Sequence, residues 1–367
     1  MAITFADDLS RHGSGATSRT NMLLSSAGWI SLGATCTCET TQQRVSGYST
    51  LTVPSGVAGA RHSIGGTKTV FGTLCGLWCT TLPSSAFAIA YWYSADSTIQ
   101  FSLFLYPDGS LAFVRGIATV IGSASAAGVF TASTFNAVEV AATMSSTVSA
   151  TDGVLTLYVN GVQVINATGL DNVAHASVTE CSSVDWAPSA TALFGIRYIA
   201  DPISWDNTGS YANAAIGTAK VCIPLGVVAD NYGGGLSDFT VYDGNSPTGA
   251  GYTAIDDTTP DGASSYIQGD AVNDASEFDL DTPPAWLEGI IACIPVTRMT
   301  LDSPGTANLQ VSLRSGSSYT TGTDRAVPYG SYTRYIDPIH RDPNGGGEIT
   351  VSMFSASNAK IRVKRTA

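Results

Sequence analysis

The clearest pattern in the chain is an alternation of apolar and polar residues from Val154 to Asn166, which reads VLTLYVNGVQVIN. Leu155, Leu157 and Val159 occupy alternate positions, as on the buried face of a β-strand. Asn160-Gly161 then separates this run from a second apolar run. Because a two-residue type I′ turn needs a positive φ at both positions, Asn-Gly between two such runs predicts a β-hairpin.

Further strand-like segments lie on both sides of this hairpin. They are Phe101–Tyr106, Leu111–Arg115, Phe135–Val140, Ala192–Ile196 and Leu236–Asp243. Two strands alone are marginally stable in water, so the hairpin needs neighbouring strands that cover its apolar face. We therefore predict an all-β protein built around an antiparallel sandwich.

Several of these segments together resemble a known fold. FNAVEV, GVLTLYVNGVQV, LFGI and LSDFTVYDG resemble the concanavalin A-like lectin/glucanase fold in its laminin G-like form. The layout of residues 20–367 is similar to tailed-bacteriophage virion proteins, in which this jelly roll precedes a smaller β-domain containing SSYI, EFDLD and LQVSLRSG. The resemblance implies a structural subunit of the neck or collar, a tail appendage or the capsid surface. It also implies a homo-oligomer, with a trimer expected.

The pattern predicts three parts. Residues 1–25 are polar and are interpreted as an arm that could dock on a neighbouring subunit, although a frayed terminus is nearly as consistent with them. Residues 26–244 form the concanavalin A-like sandwich, and residues 245–367 form the small C-terminal β-domain. The boundary is placed where Gly, Asn and Pro follow the strand that ends at Asp243.

The C-terminal domain is predicted to consist of short strands. Apolar residues alternate with polar ones in Leu309–Leu313, and with three basic residues in Lys360–Lys364. Glu348–Met353 is also predicted as a strand. The phage proteins carry a stretch resembling a short helix near this end, so the chain is expected to depart from them here.

Composition and charge limit the classes of function. The chain has 367 residues, of which 44% are hydrophobic and 13% charged, and its net charge is −12. Residues 221–297 contain no Lys or Arg, and their acidic residues account for this charge. Nucleic-acid binding needs Lys and Arg on the phosphates, so we expect no nucleic-acid partner. The acidic segment is interpreted as a solvated face or as a surface for a cation or a basic partner.

The start of the chain has no apolar core of the length that a signal peptide needs, and no stretch approaches the roughly 20 apolar residues of a membrane span. We expect no membrane contact and synthesis in a host cytoplasm. With the resemblance to phage proteins, this predicts that the protein is located in the virion.

Four of the seven cysteines form two close pairs, namely Cys36 with Cys38 and Cys75 with Cys79. They could form disulfides after release into an oxidising medium, or they could be buried thiols. Their spacing lacks the paired Cys-x-x-Cys of zinc sites, so no metal is predicted.

Aromatic residues supply candidate contact sites. Trp78, Trp92, Trp186 and Trp205 are predicted to lie at subunit interfaces or to contact a host glycan. Tyr91-Trp92-Tyr93 places aromatics at successive strand positions, which favours core packing or an interface over sugar stacking.

Catalysis has one candidate motif, Glu277-Phe278-Asp279-Leu280-Asp281. Glycoside hydrolases of this fold carry similar alternating carboxylates, because alternation places them on one face of a strand. Here the motif lies outside the predicted sandwich, and an exposed acidic strand is the preferred interpretation.

Other chemistry finds little support in the sequence. No Gly-x-Ser-x-Gly elbow accompanies the four histidines, so no hydrolytic triad is predicted. A turn with Asp256, Asp257 and Asp261 could bind calcium, but it lacks the twelve-residue loop pattern. We expect no cofactor and no catalytic residues.

Three functions remain as hypotheses. The first is a non-enzymatic structural subunit of a phage particle, bound to itself and to other virion proteins. The second is a carbohydrate-binding adhesin for host surface glycans, and the third is a glycan hydrolase.

Overall fold

The structure is a computed structural model. It describes residues 2–7, 9, 28–44, 50–57, 59–175, 177–188, 195, 197–208, 225, 227–230, 238–243, 246–248, 251–255, 265–287, 289–290, 292–330, 333–355 and 359–367.

The chain divides into two compact units. Unit 1 comprises Met1–Leu24 and Gly28–Cys222, and unit 2 comprises Ser25–Ala27 and Ile223–Ala367. The division therefore falls earlier than the predicted boundary after residue 244. The reason is that the strand Thr240–Asp243, which we predicted as the last strand of the sandwich, pairs with two strands of unit 2.

Within its described residues, unit 1 is an antiparallel sandwich of two sheets. The eight-stranded sheet contains β1 (Ala2–Ala6), β3 (Thr37–Glu39), β4 (Thr50–Val53), β6 (Val70–Cys79), β11 (Asn136–Thr143), β12 (Gly153–Val159), β13 (Val162–Leu170) and β15 (Arg197–Asp206). The seven-stranded sheet contains β2 (Trp29–Leu32), β5 (Ala60–Lys68), β7 (Phe87–Tyr93), β8 (Ile99–Leu105), β9 (Leu111–Arg115), β10 (Thr119–Ile121) and β14 (Cys181–Trp186). The predicted all-β jelly roll is confirmed.

The predicted central hairpin is present as β12 and β13. Asn160 and Gly161 join the strands at φ values of 52° and 80°, the left-handed conformations that a type I′ turn requires. Asn160 also accepts a hydrogen bond at Oδ1 from the backbone N–H of Ala137, at 2.8 Å. The turn thereby ties the hairpin to β11, the next strand of the sheet.

The core between the sheets is aromatic. The Trp92 ring stacks on Phe101 with centroids 4.7 Å apart, and it meets Trp186 edge-on at 5.8 Å. The Trp92 indole N–H donates to Thr73 Oγ1 at 3.3 Å, which satisfies its polar group inside the core.

The described part of the predicted N-terminal arm packs on unit 1 itself, which corrects its interpretation as an arm that docks on a neighbouring subunit. β1 pairs with β15, and the Phe5 ring stacks on the buried His62 with centroids 4.0 Å apart. His62 Nε2 accepts a hydrogen bond from the Trp186 indole N–H at 3.3 Å, and burial lowers the pKa of His62 to about 4. The imidazole is therefore neutral at physiological pH, as an acceptor buried between aromatic rings must be.

In its described residues, unit 2 contains three smaller antiparallel sheets. The largest contains β16 (Val227–Asp230), β20 (Ala275–Leu280), β22 (Asn308–Ser315), β23 (Ser318–Tyr319), β24 (Arg325–Ala326) and β26 (Ala359–Arg365). The others contain β17 (Thr240–Asp243), β18 (Ser246–Thr248) and β19 (Ser265–Gln268), and β21 (Val296–Met299) with β25 (Thr333–Ile336). A 3₁₀-helix (Tyr252–Ala254) and a short helix, α1 (Val351–Ser355), complete the described elements.

Helix α1 corrects the predicted strand Glu348–Met353. Ile349, Met353 and Phe354 are buried together in one apolar cluster. Met353 and Phe354 lie in the helix and Ile349 precedes it, so a helical turn, and not the alternation of a strand, brings these side chains together. Of the apolar residues in the alternation predicted for β22 and β26, Val311, Leu313 and Val363 are buried, while Leu309 and Ile361 are half-buried.

Candidate functional site

The outer surface of the seven-stranded sheet carries a row of polar side chains. Asp185 on β14 lies opposite Arg61 on β5 and opposite Tyr91 on β7. In the next row, Ser183 lies opposite Tyr93. Residues in register on neighbouring strands point to the same face, so these five side chains share one surface. We call Arg61, Tyr91, Tyr93, Ser183 and Asp185 the tyrosine face.

Asp185 is the most perturbed carboxyl group of this face. Burial raises its pKa to about 7, against the lowering effect of Arg61 and Arg197. Its Oδ1 atom is buried, although the residue as a whole keeps part of its surface exposed. No residue in the described part of the chain donates a hydrogen bond to Oδ1. A buried oxygen without a donor is costly, so this atom favours a bound group that supplies one.

Arg61 and the two tyrosines surround this carboxyl group. The Arg61 guanidinium lies over the Tyr93 ring, 4.0 Å from its centroid, and Arg61 Nε donates to Ser183 Oγ at 2.8 Å. The rings of Tyr91 and Tyr93 meet edge-on with centroids 6.1 Å apart. Burial, together with Asp185, raises the pKa of Tyr93 to about 12, so its hydroxyl group stays neutral. The face therefore combines ring surfaces, neutral hydroxyl groups, one cation and one carboxyl group.

The four tryptophans predicted as contact residues separate into two groups. Trp92 and Trp186 are 0% exposed in the core, so their prediction as interface or glycan contacts was wrong. The reason is the pleat of the strand: between Tyr91 and Tyr93, Trp92 points inwards and the tyrosines outwards. Trp78 and Trp205 point to the outer side of the eight-stranded sheet, where Trp78 meets Tyr198 edge-on at 5.0 Å, but Trp205 is buried at 3% exposure.

The four cysteines predicted as candidates for disulfides, Cys36, Cys38, Cys75 and Cys79, are buried thiols in the structure. Cys75 and Cys79 are four residues apart on one strand, a separation of about 13 Å that no disulfide spans. Cys38 on β3 is three strands from β6 in the sheet, or about 14 Å. Burial raises the pKa of Cys79 to about 12, which suits an unreactive thiol.

The carboxylate motif of unit 2 forms ion pairs. Glu277 is buried, and it accepts hydrogen bonds from Arg314 at 2.6 Å and from the Tyr319 hydroxyl group. Asp279 pairs with Lys360 on the neighbouring strand. These contacts tie β20 to β22, β23 and β26, and the burial of Glu277 corrects the preferred interpretation of the motif as an exposed acidic strand. The predicted calcium turn at residues 256–261 lies outside the described residues.

One histidine lies between a carboxylate and a hydroxyl group. His175 Nε2 is 2.6 Å from Asp96 Oδ2, and its Nδ1 is 3.4 Å from Ser177 Oγ. The backbone N–H of Ser177 already donates to the same Nδ1 at 3.0 Å. This competition and the exposure of the loop indicate a loop contact and not a nucleophile with its base.

The described residues contain neither a candidate metal site nor a membrane-spanning helix. No group of three or more His, Cys, Asp or Glu side chains is arranged to hold a metal ion. No helix there has the length and apolarity to cross a membrane.

Sequence reasoning missed the tyrosine face as a unit. The alternation in Tyr91-Trp92-Tyr93 was visible, but Arg61 and Asp185 come from strands far from it in the chain. Only strand pairing brings them together, and no local motif marks such a pairing.

Comparison with known proteins gives only distant structural likenesses. No family model and no curated protein matches the sequence. Among solved structures, the chain resembles an endo-β-1,4-glucuronan lyase from the fungus Trichoderma reesei, at 12% identity and a TM-score of 0.37, over 52% of this chain and 95% of the lyase. It also resembles alginate lyase vAL-1 from Chlorella virus, at 12% identity and a TM-score of 0.33, over 46% of this chain and 88% of that one.

A third similar structure is Trypanosoma rangeli sialidase in complex with the inhibitor DANA, at 12% identity and a TM-score of 0.33. The match covers 47% of this chain but only 27% of the sialidase. The expectation that the protein is not an enzyme is withdrawn, since these similar solved structures are a sialidase and two polysaccharide lyases. At such identity and TM-scores the likeness assigns this chain no activity and no substrate.

Proposed function

We propose that this chain is a subunit of a tailed-bacteriophage particle and that the tyrosine face of its jelly roll binds a glycan. The observation that carries the glycan proposal is the single row formed by Arg61, Asp185 and Tyr91 on one outer surface. Sugars present hydroxyl groups at their edges and C–H groups on their faces. Aromatic rings cover the C–H faces, while the carboxyl and guanidinium groups meet the hydroxyl groups.

Asp185 gives this surface its specificity for hydroxyl-bearing ligands. Its Oδ1 lacks a donor among the described residues, so a ligand hydroxyl group that reaches it removes an unfavourable burial. A hydrophobic ligand would leave Asp185 Oδ1 without a hydrogen-bond donor. The site therefore discriminates between a sugar and an apolar molecule of similar size.

Binding is tested on a glycan array, followed by titration of the strongest ligand. We expect Tyr91→Ala and Arg61→Ala to weaken binding about tenfold or more, the loss of about 1.4 kcal/mol. Tyr329→Ala is the matched control, because Tyr329 is 55% exposed and belongs to unit 2. Equal loss in all three variants would contradict the proposal.

Two features of unit 2 support the placement in a phage particle. The segments SYIQ, ASEFDL and NLQVSLRS, which overlap those that carry the resemblance to the smaller domain of phage virion proteins, are strands of one unit. Helix α1 also lies shortly before the last strand, at the end where those proteins carry a helix-like stretch. A homo-oligomer, and a trimer first, is proposed with this role.

Mass spectrometry of purified phage particles tests this placement. We expect peptides of the chain in the particle fraction and a native mass of three chains for the isolated protein. Absence of these peptides from particles of a phage that encodes the chain would refute the role.

A second candidate function is glycan cleavage at the same surface. The observation that favours it is the pKa of about 7 for Asp185, because a general acid or base works best when its pKa is near the working pH. An assay for polysaccharide cleavage distinguishes this function from glycan binding without cleavage. Asp185→Asn is expected to abolish turnover while glycan binding persists, and no turnover by the unchanged protein would exclude it.

A further inference from the structure

The largest sheet of unit 2 carries basic side chains on one of its two faces. On β26, Lys360, Arg362 and Lys364 alternate with Ile361 and Val363, and these two apolar residues pack in the apolar clusters of unit 2. Because successive residues of a strand point to opposite faces, the three basic residues share the face that points away from those clusters. We call this face of β20, β22 and β26 the basic face.

Strand register adds three more charged residues to the basic face. Asp279 and Glu277 of β20 lie opposite Lys360 and Arg362, and Arg314 of β22 lies opposite Lys360. Residues in register on neighbouring strands point to the same face. On these three strands the basic face therefore has four cations and two carboxylates.

Two of the cations already neutralise the two carboxylates. Arg314 Nη1 donates to Glu277 Oε2 at 2.6 Å, and Lys360 pairs with Asp279. Arg362 and Lys364 form no ion pair with any residue in the described part of the chain. Four cations less two carboxylates leave the basic face with an excess of two positive charges, in a chain whose net charge is −12.

The Arg362 guanidinium is held in place by an aromatic ring. Its Cζ lies 4.8 Å from the centroid of the Tyr319 ring, and the Tyr319 hydroxyl group is itself fixed by donating to Glu277. Arg362 Nε is buried without an acceptor among the described residues, whereas the terminal nitrogens of the guanidinium reach the surface. An anion at these nitrogens meets a cation that is partly removed from water, which strengthens the attraction.

Lys364 places a second cation beside this guanidinium. It lies two residues further along β26 on the same face, at a Cα separation of about 7 Å from Arg362. Its side chain is half-buried, and its flexible stem allows the ammonium group to approach a ligand held by Arg362. The residues opposite Lys364 on the neighbouring strands, Ala275 and Gln310, are uncharged, so no carboxylate competes there.

We propose that Arg362 and Lys364 bind the phosphate group of a phosphate monoester or of free phosphate. A phosphate monoester has three terminal acceptor oxygens and a charge of about −1.5 to −2 at pH 7, which matches the excess charge of the basic face. Two of its oxygens accept hydrogen bonds from the terminal nitrogens of Arg362, and the third accepts from the Lys364 ammonium group. A carboxylate or a phosphodiester has a single negative charge and leaves one cation unpaired.

The test is isothermal titration of the full chain with glucose 6-phosphate, inorganic phosphate and glucuronate. We expect glucose 6-phosphate to bind at least about tenfold more tightly than glucuronate, which carries a carboxylate instead. Arg362→Gln and Lys364→Gln should each weaken the binding of glucose 6-phosphate about tenfold or more. Arg362→Lys keeps the charge without the paired donors, so its loss should be smaller. Tighter binding of glucose 6-phosphate than of inorganic phosphate would support a phosphorylated sugar as the ligand, and equal binding would support free phosphate.

The opposite face of β26 provides the matched control. Arg365 donates to the backbone carbonyls of Gly269 and Asp270, and Arg365→Gln removes the same charge as Arg362→Gln but should leave phosphate binding unchanged. Circular dichroism verifies the fold, and Lys364→Gln decides the test if Arg362→Gln does not fold. Glucuronate binding as tight as that of glucose 6-phosphate would overturn the proposal. Unchanged binding in Lys364→Gln, or equal loss in Arg365→Gln, would overturn it as well.

Discussion

Asp185 shows how one buried group can link stability, pH and function. Its carboxyl group sits among two tyrosines and an arginine, and burial outweighs the attraction of the nearby guanidinium groups. An acid whose pKa is higher in the folded protein than in the unfolded chain binds more protons when folded. Its contribution to stability is therefore complete below the unfolded pKa near 4, and it is lost as pH rises through 7.

The first prediction concerns this pH dependence. At pH 8 we expect Asp185→Asn to raise the free energy of unfolding by on the order of a few kcal/mol, because the amide is never charged. Urea unfolding measures this as a higher midpoint concentration than that of the unchanged protein. At pH 4.5 the two proteins should differ little. Asp302→Asn, at an exposed aspartate, is the control and should change neither value. A stabilisation by Asp185→Asn that is the same at both pH values would contradict the raised pKa.

At the level of elements, the packing of β6 against β15 depends on a residue without a side chain. Gly72 lies in the middle of the eight-stranded sheet, where Trp205 of the neighbouring strand covers it. Glycine inside a strand usually weakens it, and it commonly marks the close approach of another group. Here the approaching group is the Trp205 indole.

The second prediction follows from this contact. Gly72→Ala should destabilise unit 1 by about 1–3 kcal/mol, the usual range for an overpacked site, because neither the strand nor the buried indole can move freely. Gly305→Ala is the matched control, since nothing lies within 4 Å of the position that a methyl group would take there. Denaturant unfolding followed by tryptophan fluorescence measures both. Equal stability of the two variants would show that the indole relocates without strain.

At the level of the whole molecule, each unit has its own core. Unit 1 contains the aromatic cluster around Trp92, and unit 2 contains an apolar cluster with Phe278 and Val363. The acidic segment at residues 221–297 belongs almost entirely to unit 2, where Glu277 and Asp279 form ion pairs with residues of β22 and β26. Two of the acidic residues in this segment are thus neutralised by basic residues of the same sheet.

The third prediction is that the two units unfold in separate calorimetric transitions. Trp92→Ala should destabilise unit 1 and Phe278→Ala should destabilise unit 2, each by about 3–5 kcal/mol, the usual cost of truncating a large buried aromatic residue. Each variant should therefore lower the midpoint temperature of one transition only. Ligand at the tyrosine face should raise only the transition that Trp92→Ala lowers. A single transition that both variants lower equally would show that the units unfold as one.

The sequence by itself determined the local features of this protein. Strand alternation and Asn160-Gly161 fixed the central hairpin, because pleat and positive φ are properties of neighbouring residues. It did not determine that Thr240–Asp243 belongs to unit 2, that Met353 and Phe354 lie on a helix, or that Trp92 is core while Tyr91 faces outwards. It also could not join Arg61, Asp185 and Tyr91, or Gly72 and Trp205. Those groupings depend on which strands pair and in which register, and strand pairing is a contact between distant segments that only the folded chain decides.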